Sequence, residues 1–208
     1  MADTRERILE ATRELWNERG FATVRVAEIA KAVGISTGNL TYHFPAKRDL
    51  VKALYERAEK ALLGLVREWP PETALAELPG WIRRLSHEIW RDRFLFRDTP
   101  QLAAEAPELI PRARATVVAE GRVQFQAGIE ALARAGDLEI APAELPRLVT
   151  NAWILVRYWV EYLVEARGVR DIRPRHAEEL VSQYLSLLRP YLTADARRRL
   201  AAQSRPRR

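Results

Sequence analysis

The sequence predicts an all-α protein of about nine or ten helices. Apolar residues recur at helical spacing nearly everywhere, as in Ile8, Ala11, Leu15 and Trp16, which indicates helices with one buried face. Alternating apolar and polar runs bounded by turn residues, the usual signal of strands, are missing. The first three predicted helices are short and the later ones long. We therefore expect a small N-terminal three-helix module joined by helix 4 to a larger C-terminal helical bundle.

Glycines and prolines set the bounds of these helices. Gly20 and Gly34 stand where a glycine commonly ends a helix, and Pro70–Pro71, Pro100 and Pro174 mark helix starts or breaks. The predicted helices cover residues 3–19, 26–33, 37–43, 47–68, 74–97, 101–106, 108–135, 143–167, 175–190 and 194–203.

The composition excludes several classes of protein. With 208 residues, 48% of them hydrophobic and 30% charged, the chain can form a packed core in one or two domains. It contains no cysteine, which excludes disulfides, thiolate zinc sites and cysteine nucleophiles. The most apolar stretch, 153–164, contains Arg157 and Glu161 and is shorter than the ~20 residues of a membrane span. No apolar signal region follows the charged first residues, so we expect a cytoplasmic protein without membrane contact.

The segment from Val26 to Phe44 has the pattern of two short helices joined by a tight turn. The apolar face of the first helix is formed by Val26, Ile29, Ala30 and Val33. Gly34 can adopt the left-handed geometry that ends a helix, and Ser36 can cap the second helix by accepting a hydrogen bond from the amide near Asn39. Two helices packed in this way form a helix-turn-helix, whose second helix enters the major groove of DNA.

The second of these helices has a short polar outer face. Leu40 and Phe44, four residues apart, can anchor it, which leaves outside Thr37, Gly38, Asn39, Thr41, Tyr42 and His43. Hydroxyl and amide groups can meet base edges, and tyrosine, histidine and lysine can donate to phosphates. Between Phe21 and Tyr55 five basic residues stand against two acids, a local net charge of +3. Any small three-helix unit can show a glycine turn and a polar face, so this pattern leaves a purely structural module open.

The run from Gly38 to Phe44, followed by Lys47 and Leu50, is similar to the recognition-helix signature of the TetR family (TetR/AcrR-like repressors). The likeness extends over Arg7–Phe21 and Ile29–Ser36, and it is specific over about residues 5–55. The resemblance implies a sequence-specific, DNA-binding transcriptional regulator. It further implies a homodimeric repressor that a small apolar or amphipathic effector releases from a palindromic operator on double-stranded DNA.

The resemblance also places the DNA contacts. Thr37, Asn39, Tyr42 and His43 fall at DNA-contact positions of the family, and Lys47 falls at the phosphate-binding start of helix 4. Thr41 stands where many members have a tyrosine, and Arg25–Val26 stand where a serine or threonine usually caps helix 2, so Arg25 can supply a phosphate contact instead. The predicted DNA-binding residues are Arg25, Ser36, Thr37, Gly38, Asn39, Thr41, Tyr42, His43 and Lys47. We expect a DNA-binding domain at 1–50 and an effector-binding and dimerisation domain at 51–208.

Bulky apolar residues are frequent in the predicted helices from 47 to 167. They are either plain core or, as the resemblance implies, partly the lining of an effector cavity. The candidate lining residues are Trp81, Trp90, Phe94, Phe125, Trp153 and Arg157. Arg157, on a mostly apolar helix, can pair with an acidic ligand or with Glu161 one turn away.

The family forms dimers through a four-helix bundle built from the two helices that correspond here to 143–167 and 175–190. The second of these has an apolar stripe, and the candidate interface residues are Leu180, Tyr184 and Leu187. An isologous two-fold interface fits this stripe, and an intrachain core fits it equally well.

An enzyme is the first alternative class, and the sequence argues against it. Ser86-His87-Glu88 has no recognisable partners, and zinc-protease and phosphate-loop motifs are absent. We expect no catalytic residue, no metal and no cofactor. The second alternative is a helical ligand- or protein-binding module that does not bind DNA. The six arginines between Arg197 and Arg208 are assigned no role, because a short terminal charge run is usually a solvated end.

Overall fold

The computed structural model describes residues 3–69 and 75–203, which are helical over most of their length. The helices are α1 Thr4–Arg19, α2 Val26–Val33, α3 Thr37–His43, α4 Lys47–Arg67, α5 Leu78–Arg91, α6 Phe94–Arg97, α7 Thr99–Glu105, α8 Leu109–Ala113, α9 Ala119–Arg134, α10 Leu145–Glu161, α11 Pro174–Leu188 and α12 Ala194–Gln203. Within these ranges there is no strand, and Leu138 and Leu192 form an isolated antiparallel bridge. The predicted all-α fold class is confirmed. The predicted break at Pro70–Pro71, the helix start at 74 and the arginines of the tail from Arg205 onward lie outside the described residues.

Two predicted helices are divided in the structure. The helix predicted at 74–97 is interrupted at Asp92 and Arg93, between α5 and α6. The side chain of Asn17 satisfies backbone groups on both sides of this break: its Nδ2 donates to the Arg91 carbonyl oxygen at 2.8 Å, and its Oδ1 accepts the Phe94 N–H at 3.1 Å. The helix predicted at 108–135 contains a π-helical segment, Arg114–Val118, between α8 and α9, and a second one, Tyr162–Ala166, follows α10.

The described residues fall into two compact units. Unit 1 contains the residues up to Ala61 together with Arg91–Ala115, and unit 2 contains Leu62–Trp90 and the residues from Thr116 onward. Helix α4 therefore contributes residues to both units. The functional boundary predicted near residue 50 remains a prediction, because the two units are defined by packing alone.

The core of unit 1 is built on one face of each helix, as the apolar spacing predicts. Ile8 and Trp16 of α1 are fully buried, and Ala11 and Leu15 pack against the same core while partly exposed. The other large side chains of unit 1 that are at most 1% exposed are Leu9, Ile29, Leu40, Leu50, Leu54 and Phe94. This core fixes the orientation of α3, since Leu40 is the one buried residue of that helix.

The core of unit 2 is rich in aromatic rings that pack onto α9. The ring centroids of Trp69 and Trp81 are 4.6 Å apart, and those of Trp81 and Phe125 are 5.3 Å apart. The indole nitrogen of Trp81 donates to the carbonyl oxygen of Leu65 at 2.8 Å. Gly128 allows the close approach of Trp69, because a Cβ atom at residue 128 would lie 1.9 Å from the indole nitrogen. No helix in the described part of the chain has both the length and the apolar character that crossing a membrane requires.

Candidate nucleic-acid interface

The turn between α2 and α3 has the geometry that the sequence predicts. Gly34 adopts φ 75° and ψ 33°, a left-handed conformation that residues with a Cβ atom disfavour. Its N–H donates to the Lys31 carbonyl at 3.1 Å, and the N–H of Ile35 donates to the Ala30 carbonyl at 3.0 Å. These two bonds form a Schellman motif, which satisfies the last carbonyls of α2 and turns the chain sharply.

Ser36 caps α3 as predicted. Its Oγ accepts a hydrogen bond from the backbone N–H of Asn39 at 3.1 Å, and its backbone is extended. Within α3 the hydroxyl of Thr41 donates to the Gly38 carbonyl at 3.1 Å. Because the cap bond satisfies one of the otherwise unpaired amides of the first turn, it fixes the residue at which this seven-residue helix begins.

Helix α3 has one buried and one exposed face. Leu40 and Phe44 are 0% and 2% exposed, so both predicted anchors are buried. The outward residues Thr37, Gly38, Asn39 and Thr41 are exposed, and His43 is half-buried. Tyr42 is 83% exposed, and its ring lies 5.3 Å from that of His43 in an edge-on contact. A large amphipathic ring held in solvent on a rigid helix is typical of a binding surface.

Helix α2 begins with a cap that differs from the usual serine or threonine. Glu28 accepts hydrogen bonds from the backbone N–H of Arg25 at 2.9 Å and from the guanidinium of Arg19 at 2.7 Å. The backbone bond from Arg25 is the main cause, and Arg19 the second, of a lowered pKa of Glu28. The side chain of Arg25 is exposed beside this cap. The sequence signal for this cap was the glutamate three residues after Arg25, the residue that precedes the helix.

Lys47 lies in an environment that the sequence did not indicate. Its ammonium donates to the carbonyl oxygen of Phe21 at 2.7 Å and lies 4.0 Å from the centroid of the Phe21 ring. Burial lowers the pKa of Lys47, while the charge of Glu105 acts in the opposite direction. One of its three N–H donors is thus already used within unit 1. The exposed neighbour Arg48 is a cation that the predicted site omitted, although it stands next to Lys47 in the sequence.

Side chains of α1 hold the helix-turn-helix from outside it. The guanidinium of Arg7 donates to the carbonyl oxygen of Val33 at 2.6 Å, at the end of α2. The guanidinium of Arg5 lies 4.9 Å from the ring centroid of Phe44, at the end of α3. Both contacts join residues far apart in the sequence, so no local pattern predicted them.

The structure brings together three of the predicted pocket residues. The ring of Phe125 is 5.3 Å from that of Trp81 and 5.8 Å from that of Trp153. Trp81 and Phe125, but not Trp153, border a cavity together with Trp69 and Tyr184, and this cavity measures only about 10 Å³. A cavity of this size holds one water molecule at most. In this conformation the cluster is packed core.

The remaining three pocket candidates do not border this cavity. Trp90 is half-buried in unit 2. Phe94 is 0% exposed in the core of unit 1, with its ring 5.2 Å from that of Trp16, and it cannot line a cavity in unit 2. Arg157 forms an ion pair with Glu161 at 2.6 Å, which is the second of the two partners considered for it.

Two of the predicted interface residues face the core of their own chain. Leu180 is 1% exposed and Tyr184 is 3% exposed, and burial raises the pKa of Tyr184. Leu187 is half-buried. The prediction of Leu180 and Tyr184 as interface residues is therefore corrected, because a partner cannot reach side chains that are covered by their own protomer.

A different apolar stripe is open to solvent. Ile154, Tyr158 and Tyr162, spaced by four residues along α10 and its π-helical extension, are 49%, 54% and 48% exposed. They border an open groove of about 600 Å³ that reaches Ser182 and Gln183 of α11. The spacing of these three residues was visible in the sequence. The sequence did not show which face of the helix is covered by its own chain.

These features define a class of protein: an all-helical chain with a capped helix-turn-helix near its start and an exposed recognition helix. A model of the TetR family, described as bacterial transcriptional repressors, matches residues 54–200, and a model of the N-terminal region of bacterial regulatory proteins of the tetR family matches residues 8–54. The chain belongs to the TetR family. Members of this family are DNA-binding transcriptional regulators, usually repressors, and they are not a class of enzymes.

Individual relatives agree with this assignment. The HTH-type transcriptional regulator UidR of Escherichia coli is 38% identical over 65 residues, which are 31% of this chain and 33% of UidR. The HTH-type transcriptional regulator TtgR of Pseudomonas putida is 30% identical over 93 residues, 45% of this chain and 44% of TtgR. The chain thus spans under half the length of these relatives.

Solved structures extend the similarity over nearly the whole chain. A TetR-family transcriptional regulator from Marinobacter aquaeolei has a TM-score of 0.85 and 26% identity, with 97% of each chain covered. PfmR from Thermus thermophilus has a TM-score of 0.63 and 18% identity, with 88% of this chain and 97% of PfmR covered, and it supports the fold alone.

Among the described residues no group of three or more His, Asp or Glu side chains is placed to hold a metal ion.

Proposed function

We propose that the chain is a cytoplasmic, sequence-specific repressor that binds a palindromic operator as a homodimer, with residues 1–50 as its DNA-binding domain. The observation that carries this proposal is the outer face of α3, where Tyr42 is 83% exposed while Leu40 and Phe44 are buried. A helix anchored in this way can enter the major groove as a rigid unit. Exposed side chains at fixed positions on it can then distinguish base pairs.

Each residue of the site has a separate role in this proposal. Thr37 and Asn39 meet base edges, and Gly38 allows the backbone close to the DNA. Tyr42 and His43 donate to phosphates. Ser36 caps α3, and Thr41 forms part of its outer face. Arg25 and Lys47 contact phosphates. Lys47 keeps two N–H donors for a phosphate beyond the one that it gives to Phe21.

We assign the dimer interface to the stripe of Ile154, Tyr158 and Tyr162, with a second copy of this chain as the occupant of the groove between α10 and α11. Three large apolar side chains that are each about half exposed form a patch that monomeric proteins usually cover. Leu187, half-buried on α11, can join its edge. A two-fold dimer presents two recognition helices to half-sites about 34 Å apart, one turn of DNA.

We propose that a small-molecule effector binds at the aromatic cluster of unit 2 and releases the protein from its operator. This cluster lies within residues 51–208, the predicted effector-binding and dimerisation domain. The described cavity of about 10 Å³ has no room for an effector, so a small apolar or amphipathic ligand must displace rings such as Trp69 or Tyr184 to enter. Trp81, Phe125 and Trp153 would then line its site. A ligand that favours the released state by ~1 to 3 kcal/mol weakens operator affinity about 5- to 150-fold.

Selection of duplexes from a random DNA library tests the DNA-binding proposal directly. We expect enrichment of a palindrome, and the same palindrome in the DNA upstream of the gene. Asn39→Ala should change the preferred bases, while Tyr42→Ala should weaken binding to all sequences and lower its salt dependence. The matched control is Glu10→Ala, an exposed acid of α1 paired with Arg13. A chain that enriches no sequence is the alternative ligand- or protein-binding module, and the proposal fails.

A further inference from the structure

Five hydrogen bonds tie the end of α1 and the turn after it to residues 91–98, all within unit 1. Two of them come from Asn17, which bonds to the backbone of Arg91 and Phe94. Two more come from the guanidinium of Arg97, which donates to the carbonyl oxygens of Trp16 at 2.8 Å and of Asn17 at 3.0 Å. Carbonyls in the last turn of a helix lack a full set of partners within that helix. Arg97 therefore acts as a side-chain cap on the end of α1.

The fifth bond involves Asp98. Its Oδ2 accepts the backbone N–H of Phe21 at 2.8 Å, and both of its oxygens also accept from Arg97, at 2.8 and 2.9 Å. The side chain of Asp98 is only 14% exposed, and a carboxylate at such depth requires partners of this kind. The bond to Asp98 is the main cause of a raised pKa of Arg97. The two side chains thus hold each other in one geometry.

Phe21 connects this pair to the start of α4. Its N–H points to Asp98, and its carbonyl oxygen accepts the ammonium of Lys47 at 2.7 Å. The Phe21 ring lies under the same ammonium at 4.0 Å and packs edge-on against Trp16 at 5.0 Å. A carboxylate and an ammonium therefore hold opposite sides of a single residue. Loss of either bond removes a restraint on the Phe21 backbone.

We propose that Asp98, oriented by Arg97, is a positioning residue for DNA binding: it fixes the turn at Phe21 and, through it, the ammonium of Lys47. This inference rests on the proposed function, in which Lys47 contacts a phosphate. Asp98 itself does not touch DNA, because it lies largely buried behind Phe21. Removal of the Asp98 side chain leaves the Lys47 ammonium in the protein but frees the Phe21 backbone, which sets the position of that ammonium.

A purely structural role for Asp98 makes a different prediction. If Asp98 only stabilised unit 1, its replacement would lower the stability of that unit. The effects of replacing Asp98 and any other residue on the free energy of DNA binding would then add, as they do for independent sites. Positioning through Phe21 instead couples Asp98 to Lys47 specifically. Tyr42 provides the comparison, since it is exposed on α3 and shares no partner with Asp98.

The first arm of the experiment uses the free protein and nuclear magnetic resonance. Asp98→Ala should speed hydrogen exchange of the Phe21 amide about tenfold or more, as expected from the loss of a hydrogen bond to a charged group, and should shift the Nζ signal of Lys47. Glu10→Ala should change neither signal. If Asp98→Ala does not fold, Asp98→Asn and Arg97→Lys are used, since each keeps part of the hydrogen-bonding capacity. Unchanged Phe21 and Lys47 signals in a folded variant overturn the proposal.

The second arm measures affinity for the duplex enriched from the random library. Asp98→Ala and Lys47→Met should each weaken binding, and the double variant should be no more than about twofold weaker than the worse single one. The effects of Asp98→Ala and Tyr42→Ala should multiply. If the losses of affinity multiply for Asp98→Ala with Lys47→Met as well as for Asp98→Ala with Tyr42→Ala, positioning through Lys47 is refuted. If the wild type enriches no duplex, the proposed function fails, while the first arm still decides whether Asp98 sets the position of Lys47.

Discussion

Ser36 allows the capping of α3 to be separated from its contact with DNA. The structure gives its side chain one hydrogen bond, from the Asn39 N–H to Oγ at 3.1 Å. Ser36→Ala removes the acceptor, and loss of an N-cap costs about 1 kcal/mol. That free energy corresponds to about a fivefold change in an equilibrium constant. We therefore expect Ser36→Ala to lower the free energy of unfolding by about 1 kcal/mol and operator affinity by up to about fivefold.

Two further variants at this position test whether stability and DNA binding can be separated. Ser36→Asn keeps a neutral acceptor and should preserve both. Ser36→Asp keeps the cap and places a negative charge at a helix N-terminus, which favours folding. The same charge faces the phosphates, so Ser36→Asp should fold like the wild type and bind DNA much more weakly, most clearly at low salt.

Urea unfolding followed by far-ultraviolet circular dichroism measures stability, and titration of the selected duplex at several salt concentrations measures binding. The reasoning is refuted if Ser36→Ala is as stable as the wild type, or if Ser36→Asp destabilises as much as Ser36→Ala. In the first case the cap bond contributes nothing. In the second the side chain does not serve as an N-cap.

Three other predictions follow from particular contacts. Tyr158→Asp should produce monomers in sedimentation velocity, whereas Val123→Asp, at an apolar residue of α9 that is 64% exposed, should leave the dimer intact; two dimeric variants would place the interface elsewhere. Gly128→Ala should lower the free energy of unfolding by about 1 to 3 kcal/mol through overpacking against Trp69, and Gly64→Ala, where no atom lies within 4 Å of the added Cβ, should raise thermal stability. Equal effects of the two glycine substitutions would contradict the packing at residue 128. The pKa of Glu28 is lowered by the Arg25 and Arg19 bonds, so its contribution to stability is present above the unfolded pKa of glutamate and is lost as the pH falls through the folded value. Glu28→Gln should therefore flatten the acid side of the stability profile, and an unchanged profile would show that the cap bond of Glu28 does not form.

The local sequence determined the helix-turn-helix and its outer face. Gly34, Ser36 and the pair Leu40 and Phe44 act within a few residues of their own position, through backbone geometry, a cap bond and helical spacing. Such interactions are encoded in short windows, and all of them appear in the structure where they were expected. The fold class followed from the same kind of signal, repeated along the chain.

Only the tertiary structure decided which apolar faces are covered. Helix α11 has an apolar stripe that suits a dimer or a core, and the packing of unit 2 buries Leu180 and Tyr184 and leaves Ile154, Tyr158 and Tyr162 of the neighbouring stripe exposed. A helical period states that a face is apolar, and it does not state what lies against that face.

Long-range polar contacts were equally invisible in the sequence. At the break between α5 and α6 the side chain of Asn17 bonds to the backbone of Arg91 and Phe94. Lys47 donates to the carbonyl oxygen of Phe21, whose own N–H donates to Asp98. Each of these bonds joins residues that come close only when the chain has folded, because their energy depends on a distance in space that no local pattern of residues contains.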